Sequence, residues 1–324
     1  MTYTPTNFKG YSNIGEPSVT EAIEDNLIAY INWGFLQLGA FFNITIPASG
    51  AYGGDRHQLV AISDPRYTDG QVWEAYRKNW VWESGITSAS EQPIAISGIF
   101  VDSSFLPKGS GYHVNYENGQ VVFDTPISTT STVQLEYSHK WIDVSDAANI
   151  PWFRKGQTRS FRADDPAFIA NSGTWSDLAE NRLQLPVVAV EAVGKDYEGY
   201  QLGGHQYARS DVVLHIIAED PRTAKRLASV LAEQSESTIY MYDPGRLADQ
   251  GRFPLDYRGE IASGAVCYPD LIAVTGDGGF RYTSKVQNGK LVIYESTEQE
   301  TDRLHENVYH SKVRWSTEVI LHQI

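Results

Sequence analysis

The chain has few of the residues that mark exported, metal-binding or membrane-spanning proteins. Its 324 residues include one cysteine, Cys267, so an intrachain disulfide is excluded. The neighbours Ala265, Val266 and Tyr268 indicate a small buried side chain rather than a reactive thiol. No run of about 18 apolar residues is present, so the sequence predicts no transmembrane helix. The opening MTYTPTNFKGYSN has no basic region followed by an apolar core, so we expect no signal peptide.

Basic residues are also scarce, since 26 Lys and Arg oppose 40 Asp and Glu, giving a net charge of −14. Phosphate contacts need a basic surface, so the overall charge argues against sequence-specific nucleic-acid binding. Aromatic residues are abundant, with 19 Tyr, 12 Phe and 8 Trp against 2 Met. Tyr and Trp favour strands, and they favour surfaces with one apolar and one wet end, such as subunit interfaces or sugar-binding faces.

The motifs of common enzyme classes are missing from the sequence. It contains no GxxxxGK[ST] phosphate loop, no GxSxG nucleophile turn and no HExxH zinc motif. The run 55–57, Asp-Arg-His, lies in a glycine-flanked segment and favours a solvated loop over a catalytic pair. His305 and His310 are five residues apart, a spacing that directs them to different faces, so we expect surface residues. We therefore predict a protein that is not an enzyme, with no catalytic, metal-binding or cofactor-binding residues and no cofactor.

The first predicted element is a helix that begins near Ser18. Ser18 and Glu21 have the spacing of a capping box, in which each side chain accepts from a backbone N–H of the other. Apolar residues then recur with helical period and predict a buried face: Ile23, Leu27, Ile31, Phe35 and Leu38. A short strand over 43–47 and a glycine-rich loop follow.

Residues 94–144 have the pattern of antiparallel strands. Asn118-Gly119 separates two strand-like runs, 112–116 and 120–123, and predicts a tight hairpin because both residues tolerate positive φ. Further strands are predicted over 94–101 and 132–139. Just before them, Trp73, Trp80 and Trp82 are interpreted first as core anchors, with a protein interface or a ligand platform as the alternatives.

A basic and aromatic segment interrupts the strands over 145–182. In an acidic protein it is a candidate arm that docks on an acidic neighbour, and a solvated linker is an equally good interpretation. The predicted subunit-interface residues in this segment are Trp152, Phe153, Arg154, Lys155, Arg159, Phe161 and Arg162.

From residue 185 onward strands and a helix mix. Strands are predicted over 185–193, 210–218 and 238–242, near 265–274, around a second Asn-Gly hairpin (282–286 and 290–294) and over 308–321. Asp220-Pro221 predicts the start of a helix that runs to about residue 235. Its predicted inner face consists of Ala224, Leu227, Ala228 and Leu231.

These elements predict an α+β fold in two domains and a connection. Residues 1–150 are expected to form an N-terminal helix plus an antiparallel β domain, and residues 151–184 a linker or arm. Residues 185–324 are expected to form an α+β domain with a mixed sheet and a packed helix.

Two segments resemble proteins of tailed bacteriophages. The order LPVVAV, YQLGGHQ, RSDVVLHIIAEDP, RTAKRLASVLAEQ and TIYMYD over 185–243 resembles the tail-terminator family, whose rings cap the tail tube and join it to the head. The run GYHVNYENGQVVFDTPISTTSTVQLEYSHKWIDV is similar to hairpin modules of phage virion structural proteins, especially myovirus-like ones. Terminators are usually much shorter than this chain, so a neck adaptor or connector role stays open.

The resemblance implies a structural component of the phage neck or tail, assembled in the host cytoplasm and located in the virion. It implies a homo-oligomeric ring, which we expect to be six-fold, with neck, tail-tube, sheath or portal-complex proteins as partners and no membrane. A carbohydrate- or ligand-binding β module is the alternative, and it depends on the tryptophans and the many tyrosines.

Overall fold

The structure is a computed structural model that describes residues 18–47, 55–147, 184–200, 205–242, 254–262, 282–292 and 309–321. Within these ranges it combines two helices with three β-sheets, one of them mixed. The predicted α+β fold class is therefore confirmed, including the N-terminal helix, the antiparallel strands and the mixed sheet with its packed helix. The predicted strand near 265–274 and Cys267 lie outside the described residues.

Helix α1, Val19–Gln37, begins at the predicted capping box. The Glu21 backbone N–H donates to Ser18 Oγ at 3.1 Å, and the Ser18 N–H donates to Glu21 Oε2 at 2.5 Å. Four predicted apolar positions are buried: Ile23, Leu27, Ile31 and Phe35. Leu38 was expected to join them, but it lies at the C-cap, where the helix ends, and it is 69% exposed.

The largest sheet has seven strands in the order β5-β4-β8-β2-β3-β7-β6, and every pairing in it is antiparallel. Its strands are β2 Gln58–Ala61, β3 Val72–Glu74, β4 Gly98–Val101, β5 Ser104–Pro107, β6 Tyr112–Asn115, β7 Gln120–Phe123 and β8 Val133–Leu135. Trp73 and Trp80 are buried in its core, where the Trp80 ring lies 4.7 Å from the Tyr137 ring. The interpretation of these two tryptophans as core anchors is confirmed.

A two-stranded sheet lies beside it, made of β1, Phe41–Ile44, and β9, Tyr137–Lys140. The sequence predicted one strand over 132–139, but the chain leaves the seven-stranded sheet at Glu136 and pairs with β1 instead. The Glu136 carboxylate accepts the Ile46 N–H at 3.1 Å, which places this break next to the end of β1.

The third sheet is mixed and has six strands in the order β10-β11-β12-β15-β14-β13. These are β10 Asp143–Asp146, β11 Val187–Tyr200, β12 His205–Ala218, β13 Thr238–Met241, β14 Tyr282–Val292 and β15 Tyr309–Leu321. The β10–β11 pairing is parallel and the other pairings are antiparallel. The second predicted Asn-Gly hairpin is wrong, because β14 runs straight through Asn288-Gly289, which pair with Ser316 and Trp315 of β15 just after a register shift between Val286 and Asn288.

Helix α2, Pro221–Ala232, begins as predicted at Asp220, whose carboxylate accepts the N–H groups of Arg222 and Thr223 at 3.0 and 2.9 Å. The whole predicted inner face is buried: Ala224, Leu227, Ala228 and Leu231. The helix packs on β12, β15 and β14, where the Trp315 indole N–H donates to the Leu231 carbonyl at 3.0 Å.

Helix α1 packs in the same core as α2, although it belongs to the first part of the sequence. Ile23, Leu27 and Ile31 share one buried cluster with Val188, Leu214 and Trp315, among others. The predicted division into 1–150, 151–184 and 185–324 stays a prediction. This core joins residues from its first and third parts, so the amphipathic face of α1 is covered by the six-stranded sheet.

Candidate functional site

A cavity of about 270 Å³ lies at the seam between the two-stranded sheet and the six-stranded sheet. One wall comes from β1, from His139 of β9 and from Arg56 and Arg77. The opposite wall comes from Leu185 and Pro186 before β11, the end of β12 and the first turn of α2. The chain passes between the two sheets here in two residues, Trp141 and Ile142, and the Trp141 N–H donates to Ala40 O at 3.0 Å.

Two arginines line one side of the cavity and stack on the same ring. The guanidinium carbons of Arg56 and Arg77 lie 4.6 and 5.5 Å from the centre of the Tyr76 ring. Arg77 forms no ion pair with a carboxylate of any described residue. A half-buried guanidinium without such an ion pair favours the entry of an anion into the cavity.

His139 lies between these arginines and the aromatic wall. It is 4% exposed, and its ring lies 5.5 Å from that of Phe42, which in turn meets the Trp141 ring edge-on at 6.4 Å. Burial, together with the charges of Arg77 and Arg56, lowers the pKa of His139 to about 4. The imidazole is therefore neutral near pH 7, and the positive charge of this wall comes from the arginines.

The opposite wall carries negative charge. Asp220 caps α2, and its hydrogen bonds with the first turn hold the pKa of its carboxyl below the usual range. Glu219 precedes it and is exposed. The cavity thus has a cationic side and an anionic side, separated by apolar surface.

The position of Arg77 depends on the hairpin turn between β6 and β7. The Trp80 indole N–H donates to the Arg77 carbonyl oxygen at 2.9 Å. Gly119 of the Asn-Gly turn has φ +62°, and a Cβ built on it would lie 2.5 Å from the same carbonyl oxygen. The Asn-Gly turn that the sequence predicts therefore also helps to position Arg77 in the cavity wall.

A second polar cluster lies on the face of the six-stranded sheet that points away from α1 and α2. His215 of β12 contacts Glu191 of β11 (Nε2 to Oε2, 2.8 Å) and His310 of β15 (Nδ1 to Nε2, 3.3 Å). Burial, together with the neighbouring His215 and Lys312, lowers the pKa of His310 to about 3. His310 was expected on the surface, but it lies against His215 and is mostly buried, and His305 lies outside the described residues. The strand register that joins His310 to His215 was not predictable from local sequence.

Cross-strand ion pairs continue along the same face. Arg314 pairs with Asp211, and Arg209 pairs with Glu318 at 3.0 Å. Around these pairs the face is polar and carries both signs of charge, whereas Val187, Ala189 and Ile217 on the same face are apolar and buried.

The edge of β11 changes character along its length. Strand β10 pairs with it over Val187–Val190 only, and beyond that point the described strands pair with β11 on one side, through β12. The Glu24 carboxylate of α1 accepts the Ala192 N–H at 2.8 Å, and a bulge follows at Ala192/Gly194. The segment 194–200 of β11 continues beyond β10 and beyond the bulge, over a length of about 23 Å at the usual rise per residue.

The predicted site residues have mixed outcomes. The seven predicted interface residues, from Trp152 to Arg162, lie outside the described residues. The run 55–57 was expected to be a solvated loop, but it forms a short 3₁₀ turn in which His57 is buried and Arg56 lines the cavity. Trp82 is partly buried, under the Lys140 amino group at 5.3 Å. Since Trp73 and Trp80 are buried, they do not form a surface platform for a sugar.

No protein-family model, no curated protein and no solved structure matches this chain. In the described ranges, no helix is long and apolar enough to cross a membrane. The same ranges contain no group of three or more His, Cys, Asp or Glu side chains arranged to hold a metal ion.

Proposed function

We propose that this protein is a structural component of a tailed-phage neck or tail, a terminator or connector that forms a symmetric ring. The observation that carries the proposal is the edge of β11 over 194–200, a long strand edge with a described neighbour on one side only. An extended segment of the next subunit adds to this edge, and repetition of the contact around an axis closes the ring.

Other sheet edges are covered or short, which supports this proposal. Exposed strand edges promote uncontrolled association, and proteins usually block them. At the far edge of the six-stranded sheet, α1 contacts β13, and the Asn26 side chain bonds the main chain of the next residue, Tyr242. At one edge of the seven-stranded sheet, β5 has four residues and ends in Pro107. Two longer stretches of the described strands differ from these edges, since 194–200 of β11 and 286–292 of β14 each have a described neighbour strand on one side only. We assign the added strand to the β11 stretch.

The polar face beside this edge also suits an assembly. Its ion pairs are already satisfied within the subunit, so the face can meet a neighbour without burying a lone charge. The resemblance of 185–243 to tail terminators supports the same part of the chain as the ring core. The seven-stranded sheet module then contacts the adjacent layer of neck, tube, sheath or portal-complex proteins in the virion.

The basic arm from Trp152 to Arg162 is the candidate for the added segment. Changing Arg154, Arg159 and Arg162 together to Ala removes three of its four positive charges without touching the described sheets. We expect this variant to lose the ring, as judged by light scattering. An unaltered ring would remove the arm from the proposal and leave the β11 edge to another segment.

The edge is tested by Val193→Lys, at the bulge where the 194–200 edge begins, because a lysine on an edge strand opposes strand addition. Val193 is 52% exposed, so the folded subunit tolerates the change. Leu38→Lys is the matched control, since Leu38 is 69% exposed and lies at the end of α1, away from β11. We expect wild type and Leu38→Lys to give masses of about six times 36.2 kDa with rings in negative stain, and Val193→Lys to give 36.2 kDa. Equal masses for the two variants would contradict this use of the edge.

A further inference from the structure

The cavity at the seam borders the edge of a strand rather than one face of a sheet. Four consecutive residues line it, from Phe42 to Thr45, and three of them belong to β1. Successive side chains of a strand point to opposite faces, so a surface that contacts all of them runs along the strand edge. Among the described strands β1 pairs with β9 alone. This edge offers main-chain hydrogen-bonding groups to an extended polypeptide.

The charges around the cavity define the sign of what enters it. On one side of the cavity, the guanidinium groups of Arg56 and Arg77 both pack on the Tyr76 ring, which restricts their positions before any ligand arrives. A carboxylate accepts hydrogen bonds from such a group in pairs, with specific geometry. Asp220 and Glu219 on the opposite wall repel a second negative charge. One carboxylate therefore fits this site better than a dianion such as phosphate.

The walls and the size define the rest of the occupant. The rings of Phe42 and Trp141 are half-buried, contact each other edge-on at 6.4 Å and give this side of the cavity an aromatic wall, which suits an apolar side chain. A volume of about 270 Å³ lies just below the range of about 300–1,000 Å³ for pockets that take drug-sized ligands. The occupant is therefore small.

We infer that this cavity binds a polypeptide segment that presents an apolar side chain next to a single carboxylate. The carboxylate faces Arg77 and Arg56, the side chain packs on Phe42 and Trp141, and the main chain follows the β1 edge. A C-terminal aromatic residue is the simplest example of this chemistry. The site lies apart from the β11 edge, so the inference stands or fails independently of ring formation.

The test uses the full chain and two short probes, Ac-Ala-Ala-Phe with a free carboxylate and the same peptide as its C-terminal amide. Saturation-transfer NMR observes the peptide and works for monomer and ring alike. We expect millimolar binding of the carboxylate peptide and at least about tenfold weaker binding of the amide, the loss of roughly one charge-assisted contact. Equal binding of the two peptides would overturn the inference.

Arg77→Gln tests the cationic side, with Arg66→Gln as the matched control. Arg66 is also stacked on a tyrosine, with its guanidinium carbon 5.7 Å from the centre of the Tyr67 ring, but it lies outside the cavity. We expect Arg77→Gln to weaken the carboxylate peptide about tenfold and to leave the amide unchanged, whereas Arg66→Gln binds both as wild type does. If both variants bind alike, the cavity is not the site. If inorganic phosphate displaces the peptide at equal concentration, the cavity is a simple oxyanion site and the inference is overturned.

A measurement on the unmodified chain covers the case in which Arg77→Gln does not fold. A carboxylate bound beside the arginines offsets the charges that disfavour the imidazolium of His139. The titration midpoint of His139, followed by NMR of the histidine rings, should therefore rise when the carboxylate peptide is added and should not move with the amide. A midpoint that stays fixed at saturating carboxylate peptide would contradict binding at this site.

Discussion

Asn26 of α1 and Tyr242 beyond β13 are joined by two hydrogen bonds although 216 residues separate them in the sequence. Asn26 Nδ2 donates to the Tyr242 carbonyl at 3.0 Å, and the Tyr242 N–H donates to Asn26 Oδ1 at 2.9 Å. The side chain thus substitutes for a neighbouring strand at this edge. Since Asn26 is fully buried, both Tyr242 groups would lack water if it were removed.

Asn26→Ala is expected to lower the free energy of unfolding by about 2–4 kcal/mol, because it leaves two buried main-chain groups without this partner. Urea unfolding followed by circular dichroism measures the change. Asn32→Ala on the same helix is the control, since the Asn32 side chain makes no hydrogen bond to a described residue. A loss for Asn26→Ala no larger than that of the control would show that the link between α1 and β13 is not stabilising.

Gly119→Ala is expected to lower the free energy of unfolding by about 2–4 kcal/mol. Two causes contribute, because Gly119 has a positive φ and the added Cβ would lie only 2.5 Å from the Arg77 carbonyl oxygen. Gly109→Ala separates the two causes, because Gly109 has φ +83° but nothing within 4 Å of a built Cβ. We expect about 1 kcal/mol for that change. Equal losses in denaturant unfolding would mean that the contact with Arg77 is not sterically demanding.

The buried His139 predicts a stability that depends on pH. Its pKa is lowered from about 6.5 in the unfolded chain to about 4, so the unfolded state binds the proton first as pH falls. The contribution of neutral His139 to the free energy of unfolding is fully present above pH 6.5. It is lost between pH 6.5 and 4, with a magnitude on the order of 3 kcal/mol.

His139→Gln removes this titration, so the comparison of variant and wild type isolates it from the carboxylates. We expect the free energy of unfolding of the variant to fall less steeply over this range, with the two curves converging toward pH 4. Parallel curves from pH 7 to 4 would show that His139 titrates normally in the folded state.

The parts of the fold that were predictable from the sequence depend on local signals. The capping residues Ser18 and Asp220 fix where both helices begin, and the hairpin at Asn118-Gly119 is set by two residues that tolerate positive φ. The same Asn-Gly signal was misleading at Asn288-Gly289. There the pairing of β14 with β15 runs over ten residue pairs and outweighs the local preference for a turn.

The cavity could not be predicted because its residues come from separated segments. Arg56, Arg77, His139 and Asp220 are brought together only when the chain leaves the seven-stranded sheet after β8, pairs with β1 through β9 and crosses to the six-stranded sheet. Nothing near Arg56 in the sequence indicates that Tyr76 will hold it. A sequence pattern reports a residue's neighbours along the chain, whereas this site depends on neighbours across two sheets.

Amide hydrogen exchange of β11, followed as the protein concentration is raised, tests the central claim most directly. If the edge over 194–200 receives a strand from the next subunit, its exchange slows as the ring forms, whereas the core segment 187–190, already paired on both sides, does not change. Exchange at 194–200 that stays the same while the mass rises would show that the ring forms through another surface. A mass that stays at 36.2 kDa at every concentration would contradict the ring itself.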